Sequence, residues 1–472
     1  MRRGAGLLLL ATIALLSSCK KPGDAVTPTP AANDYATVND WILTNMRQAY
    51  YWNDKIPANP DKTLKPDVFF DTLLYKFDPV LRPDGDRFSW IEESGDQLKS
   101  ELSGETKTTG MEFTLYLRAT GSSEVIAQVL YVLPNSPAQK AGLQRGDIIY
   151  QVNGQRLNRS NYSSLLFDNT VSAYTFKLAK ISNQTIVDSD ETRSVTPQVF
   201  QEDPVFLDSV YTVGARKVGY FVYNQFIPSP NGTENGAFDN EMDAVFANFK
   251  AQGINELVLD LRYNPGGYTS SSANLASLIG KGVDASKVYF REEWNKTLTP
   301  QFQKQYGDEF FLQRFVNKAQ NVGGALSRVF ILTSDRTASA SELIINGLKP
   351  YMPVTLIGTT TYGKNVGSIT ITDDSGQIKW GMQPIVLRSY NSLGQSDYST
   401  GFKPDVEVQE PLNLFPLGDV REDLLNEALY QISGVRLRRA LPTPNPLPLV
   451  GSSIQRKAAG SNMFKTLKTR AL

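Results

Sequence analysis

From about residue 205 onward the chain alternates short runs of branched apolar residues with amphipathic stripes, and few folds accept that pattern. Val218-Gly219-Tyr220-Phe221-Val222 reads as a strand, and Phe238, Met242, Val245, Phe246 and Phe249 recur at helical spacing. Leu257-Val258-Leu259-Asp260-Leu261 reads as a buried strand. Val329-Phe330-Ile331-Leu332 and Val354-Thr355-Leu356-Ile357 are two more, with a helix between them. A strand that must be covered on both faces by helices implies an α/β domain with a layered, mixed, partly parallel sheet. This core is expected over residues 201–435. The chain has 472 residues, so about three domains are expected in all.

Two segments precede the core. Residues 34–105 read as a mostly helical domain, because Tyr35, Val38, Trp41, Ile42, Met46 and Tyr50 recur at helical spacing. Residues 106–200 read as short strands with one short helix. There Val125–Val132 is strand-like, and Ser136-Pro137-Ala138 opens a capped helix that stops at Gly142. Gly146-Asp147 turns into a buried strand, and Asn153-Gly154 is a hairpin turn. That whole string resembles the PDZ domains of bacterial periplasmic proteases.

The ends differ in composition. Arg2 and Arg3 precede the apolar run Leu7–Leu16, which is followed by Ser17, Ser18 and Cys19. A basic start, a short apolar run and small residues make a secretory signal over residues 1–18. Leu16-Ser17-Ser18-Cys19 resembles the bacterial lipoprotein box, which implies lipidation of Cys19 and anchoring to a membrane of the cell envelope rather than spanning it. Residues 19–33 are rich in Pro, Thr and Ala, as a tether would be. Residues 436–472 are Pro-rich and then basic, with no acid after Glu427. They are expected to be a disordered, solvated tail.

Absent residues limit the chemistry. The chain has no histidine and one cysteine. Ser-His-Asp and Cys-His machinery, His-ligated metals and internal disulfides are therefore excluded. No cofactor or metal is called for. Formal net charge is zero, and removal of residues 1–18 leaves 46 basic and 48 acidic residues. No basic field points to nucleic acid.

Three motifs follow expected strands, the usual place for sites in α/β sheets. In Thr337-Ala338-Ser339-Ala340-Ser341-Glu342, Ser339 and Glu342 have the spacing of a helix capping box. Yet a serine at a helix start is also placed for nucleophilic attack, with the Ala340 amide at hand for an oxyanion. Asn264-Pro265-Gly266-Gly267 offers further exposed amides, or is a plain tight turn. The third motif, Gly358 to Lys364, follows a strand and fits most of a phosphate loop, but Asn365 stands where a Ser or Thr would bind magnesium. Without histidine, Lys364 is the candidate base for Ser339. A free lysine titrates near ~10.4 and is charged at pH 7. Burial would lower that value and let the neutral amine take the serine proton.

Taken together, these motifs resemble the C-terminal processing (tail-specific) proteases, over residues 34 to 430. The resemblance rests on Asn264–Gly267, Thr337–Glu342, Tyr362-Gly363-Lys364 and Gly401-Phe402-Lys403-Pro404-Asp405 in the family's order. It implies a serine endopeptidase with Ser339 as nucleophile, Lys364 as general base, and Gly266, Gly267 and Ala340 as the oxyanion hole. Ser341 and Glu342 then belong to the helix start and are not reactive. Substrates would be peptides or unfolded envelope proteins, assisted by the PDZ domain. Two departures stand out. Ser368 replaces the family's Gln four residues after the lysine, and could accept a hydrogen bond from it. The carboxylate loop of the PDZ domain is Gly110-Met111-Glu112-Phe113, with Glu112 near where a free C-terminus would dock. The alternative reading is a catalytically silent peptide-binding or scaffolding lipoprotein on the same fold.

Overall fold

The computed structural model describes residues 35–168, 170–182, 185–230, 236–435, 447–457 and 463–466. The expected signal peptide, Cys19 and the tether lie outside the described residues.

The alternation read from the sequence becomes a six-stranded sheet. Val205–Val213 runs antiparallel to Arg216–Tyr223, and Glu256–Asp260, Val329–Thr333, Val354–Gly358 and Val406–Glu407 continue in parallel. Period-two alternation sends Phe221, Leu257, Leu259 and Ile331 to one face and Val218, Tyr220, Val258 and Leu332 to the other. The first face is covered by the helices Ala237–Gln252, Thr269–Ile279 and Ala340–Leu348, whose stripes include Met242, Phe246, Leu275 and Leu343. The helix Asp423–Ser433 covers the second. Two-sided burial is what makes these strands nearly all apolar.

A second six-stranded sheet runs Gly267–Tyr268, Met463–Phe464, Val366–Ser368, Ile385–Asn391, Val288–Trp294 and Leu312–Arg314. It packs on the N-terminal segment, where Ile42, Met46 and Phe69 meet Val366, Ile385 and Leu387. That segment is less helical than expected. It has the helices Ala36–Ala49, Pro66–Leu73 and Gly95–Leu102, but Tyr75 to Ser94 is turns and a three-residue strand. Pro83, Gly85 and the Asp78 and Asp86 side chains, which accept backbone amides two and three residues on, favour turns there.

Residues 106–200 form an antiparallel sheet through Met111–Leu117, Val125–Val132, Ile148–Val152, Tyr174–Ser182 and Thr185–Val195. Val152 and Gln155 pair across Asn153-Gly154, and the helices Pro137–Lys140 and Tyr162–Leu166 close the core.

The tail departs from expectation. Leu449–Ser452 adds a strand to Met111–Leu117, and Met463–Phe464 is an inner strand of the second sheet. Composition signalled a solvated tail, but Ser452, Ile454, Met463 and Phe464 are buried. Edge strands supply unpaired amides and carbonyls that main chain of almost any composition can satisfy.

Candidate active site

Thr333 ends its strand, and the chain then turns tightly into the helix Ala340–Leu348. The turn is pinned: Thr337 Oγ1 donates to Leu261 O at 2.8 Å, and Ala338 N to Asn264 O at 3.2 Å. Ser339 sits at its apex with φ 63° and ψ −112°. That is a region an L-residue enters only when its surroundings impose it. Ser339 is fully buried, and its Oγ has no hydrogen-bond partner among the described residues. Ser339 and Glu342 take up the two ends of the expected capping box. Glu342 Oε2 takes the Ser339 amide at 2.8 Å, while the serine hydroxyl is left uncommitted.

Glu342 does more than start a helix. The same oxygen, Oε2, accepts the Lys364 amide at 2.8 Å, so one carboxylate oxygen holds the backbones of Ser339 and Lys364 together. The other oxygen accepts Gly363 N at 2.7 Å and Thr361 Oγ1 at 2.6 Å. Burial pushes the Glu342 carboxyl up from its ordinary value, and these four donors oppose that. The spacing in the sequence signalled the cap and nothing of the contact with residues 361–364.

Lys364 is fully buried, and its Nζ lies 4.5 Å from the centroid of the Phe88 ring. Burial holds its pKa well below the ordinary lysine value, although Asp86 and Glu342 pull it upward. Desolvation is the larger effect because an ammonium loses its water on entering an apolar pocket. Asp86 and Phe88 come from the N-terminal segment. Between them Arg87 clamps the lysine loop, donating to Gly363 O at 2.8 Å and Ser399 O at 3.0 Å. None of these three residues was singled out from the sequence.

The amides of the lysine loop do not cradle an anion. Thr359, Thr361, Tyr362, Gly363 and Lys364 donate to Thr333 O, Phe402 O, Thr337 O and Glu342. Gly358, with φ +131°, lies so close to the next strand that a Cβ would stand 2.0 Å from Thr333 O. The likeness to a phosphate loop is therefore accidental. Its glycine serves strand packing and its lysine points into the core.

The Asn264–Gly267 turn faces the turn that carries Ser339. Asn264 O accepts the Ser341 hydroxyl at 3.0 Å as well as Ala338 N, which fixes the turn beside Ser339. Gly266 N donates to Asn264 Oδ1 at 2.9 Å, so that amide is committed to the turn and is not an oxyanion donor. The other two expected donors are Gly267, on a two-residue strand paired with Met463–Phe464, and Ala340, at the first position of a helix, where amides lack intrahelical partners. Ser368 is buried, and the partners seen for its hydroxyl among the described residues do not include Lys364. Its Oγ donates to Met463 O at 3.2 Å and accepts from Gln383 Nε2 at 3.1 Å. Gln383, fully buried on the strand Gly381–Gln383, thus brings a side-chain amide next to the position. No pattern in the sequence ties it to the lysine.

Gly110, Met111, Glu112 and Phe113 lie apart from this site, at the start of the Met111–Leu117 strand. Met111, Glu112 and Phe113 border a cavity of about 640 Å³ lined also by Leu166, Phe167 and Lys457, and neither Ser339 nor Lys364 lines it. Glu112 is buried and paired, 2.9 Å from Lys457 Nζ, and it accepts from the Ser453 hydroxyl.

Known proteins match this arrangement. Peptidase family S41 matches residues 217–408, the peptidase S41 N-terminal domain residues 37–90, and the PDZ domain residues 128–166. Proteins named "Probable CtpA-like serine protease" from Staphylococcus saprophyticus and Staphylococcus epidermidis are 25% identical over 302 residues and 24% over 292. These alignments cover 61% and 60% of this chain and 52% of each relative, so the chain spans about half the length of the curated relatives it matches. A crystal structure of a Bacteroides fragilis NCTC 9343 protein assigned to the S41 proteases is 30% identical, with a TM-score of 0.69. That match covers 84% of this chain and 97% of the other. The chain belongs to peptidase family S41.

Proposed function

We propose that the protein is a serine endopeptidase with a Ser339–Lys364 dyad, acting on extended peptides or unfolded proteins of the cell envelope and tethered to a membrane through Cys19. One observation carries this reading. A serine in an enforced conformation, with an uncommitted hydroxyl, shares one carboxylate oxygen with a lysine that burial drives toward the neutral amine. Neutral Lys364 takes the Ser339 proton as Oγ attacks the scissile carbonyl carbon. The tetrahedral oxyanion is met by the amides of Gly267 and Ala340. Lys364, now an ammonium, returns the proton to the leaving amine and then deprotonates the water that hydrolyses the acyl-serine. The PDZ domain takes substrate main chain as an added strand, which asks little of sequence.

Peptide hydrolysis by Ser339→Ala and Lys364→Ala is expected to fall by about 10³-fold or more, with thermal melting retained. Lys364→Arg, which cannot be neutral, is expected to be equally inactive. Hydrolysis at the native rate by either alanine variant would sink the proposal. The competing reading, a silent peptide binder, is motivated by Ser368. The amide that Gln383 brings to Ser368 weighs against it. A fluorophosphonate that labels the native chain and not Ser339→Ala would decide between them.

A further inference from the structure

The two tail strands lie across both surfaces that a peptide substrate would need. Leu449–Ser452 runs antiparallel along Met111–Leu117, with Leu117 N donating to Pro448 O at 2.8 Å and Ser453 N to Phe113 O at 3.0 Å. Phe113 N in turn donates to Ser453 Oγ at 2.8 Å. The side chains are seated too. Val450 packs on the PDZ core, and Ile454 is buried between Tyr131, Leu133 and Tyr263. The Arg456 guanidinium stands 4.0 Å over the Phe167 ring. Lys457 Nζ ends between two carboxylates, 2.9 Å from Glu112 and 2.7 Å from Glu202. Farther on, Met463–Phe464 enters the second sheet beside Gly267–Tyr268 on one side and Ser368 on the other. Lys465 N donates to Ser368 O at 3.1 Å, and the Phe464 ring meets Tyr268 edge-on at 4.2 Å. The strand bearing the proposed oxyanion amide is thereby bridged to the strand that follows Lys364, and Ser339 and Lys364 have no exposure.

We propose, building on the peptidase reading, that residues 447–457 and 463–466 are a built-in competitor that holds the peptide path in cis, and that the PDZ groove selects internal extended segments carrying a basic residue for Glu112 and Glu202. Main-chain pairing is exchangeable, since any extended peptide can make the same bonds to Met111–Leu117. The charges match: no acid follows Glu427, and the tail lysines end on Glu112, Glu202 and Glu292. A free C-terminal carboxylate would meet Glu112 instead of a donor. An intramolecular ligand also holds its site at an effective concentration that a free peptide reaches only at millimolar levels. Activity is therefore latent until a substrate displaces the tail.

The test compares the full chain with a chain ending at Gly434. A fluorescent peptide of residues 447–457 is titrated into each, both carrying Ser339→Ala so that binding is read without turnover. The shortened chain is expected to bind it and the full chain not to. Glu112→Gln with Glu202→Gln in the shortened chain should weaken binding by about tenfold or more. With Ser339 restored, the shortened chain and full-length Lys457→Glu should hydrolyse an unstructured peptide about tenfold faster than the native chain, as relief of a competitor requires. A folded shortened chain that neither binds the peptide nor gains activity, while still labelled at Ser339 by a fluorophosphonate, overturns the inference and leaves the peptidase reading standing. Peptide binding without labelling at Ser339 does the reverse. If the shortened chain does not fold, hydrogen exchange at the Phe113 and Leu117 amides is read in full-length Lys457→Glu. Faster exchange supports the inference, and unchanged exchange overturns it.

Discussion

Ser339 holds a backbone conformation that costs a non-glycine residue about 1–3 kcal/mol, and Lys364 gives up the hydration of its ammonium. Both costs are borne by the surrounding contacts, notably the four hydrogen bonds accepted by Glu342. The lysine cost has a measurable sign. Its folded pKa is depressed, whereas the unfolded chain titrates near ~10.4. Between those values the unfolded state binds the extra proton, so stability rises with pH until about 10.4 is passed. Lys364→Met, which keeps the stem and removes the charge, is therefore expected to be inactive yet more stable than the native chain at pH 7. That advantage should shrink steadily as denaturant melts are repeated at rising pH. A constant difference would mean that Lys364 is charged in the folded chain.

At the scale of elements, the site is an intersection of strand ends and turns whose spacing leaves no room for side chains. Gly267, with φ +135°, would place a Cβ 2.2 Å from Phe226 O. That oxygen cannot retreat, because it accepts the Tyr268 amide at 2.8 Å. Gly267→Ala keeps the amide but forces the backbone to move, so it is expected to lower the melting temperature and, if that amide is the proposed oxyanion donor, to cut kcat/KM by about 10²–10³. Steady-state kinetics alongside calorimetry checks both. The helix Ala340–Leu348 and the strand Val354–Gly358 were legible in the sequence as periodic apolar runs. The Tyr75–Ser94 segment was legible only as a break at Pro83 and Gly85, because its conformation is set by Asp side chains capping turns and by packing on the Lys364 loop rather than by a repeat.

Over the whole molecule, contacts between domains converge on the loops that carry Ser339 and Lys364. Arg87 of the N-terminal segment grips Gly363 O, and Arg336 of the serine loop donates to Thr114 Oγ1 of the PDZ strand at 2.8 Å. A buried ion cluster makes a third link. Arg145 of the PDZ domain meets Glu410 at 2.7 Å and the Tyr263 hydroxyl at 2.6 Å, and Arg262 joins Glu410 to Asp260 and Glu422. Burial alone would raise the Glu410 carboxyl, but Arg145 and Arg262 outweigh it and hold the group at about 2, against an ordinary 4.5. Its contribution is thus fully present above about pH 4.5 and is lost as pH falls toward 2. Glu410→Gln is expected to melt below the native chain at neutral pH, with the gap closing in acid as the native carboxyl protonates. A gap independent of pH would show that the cluster is not charged as drawn.

Local pattern by itself determined the layered α/β core and the PDZ string, because periodicity and turn residues are written in neighbouring residues, and the absence of histidine left Lys364 as the candidate base for Ser339. Tertiary structure alone decided the rest. Lys364 is buried with Phe88, 276 residues earlier, packed against its side-chain nitrogen. Glu342 became the clamp, Gly266 lost its amide to Asn264, and Ser368 turned to Met463 and Gln383. The basic tail, whose composition argued for solvent, found two open strand positions and three carboxylates. Desolvation and main-chain pairing depend on what the folded chain brings near, and composition does not record that.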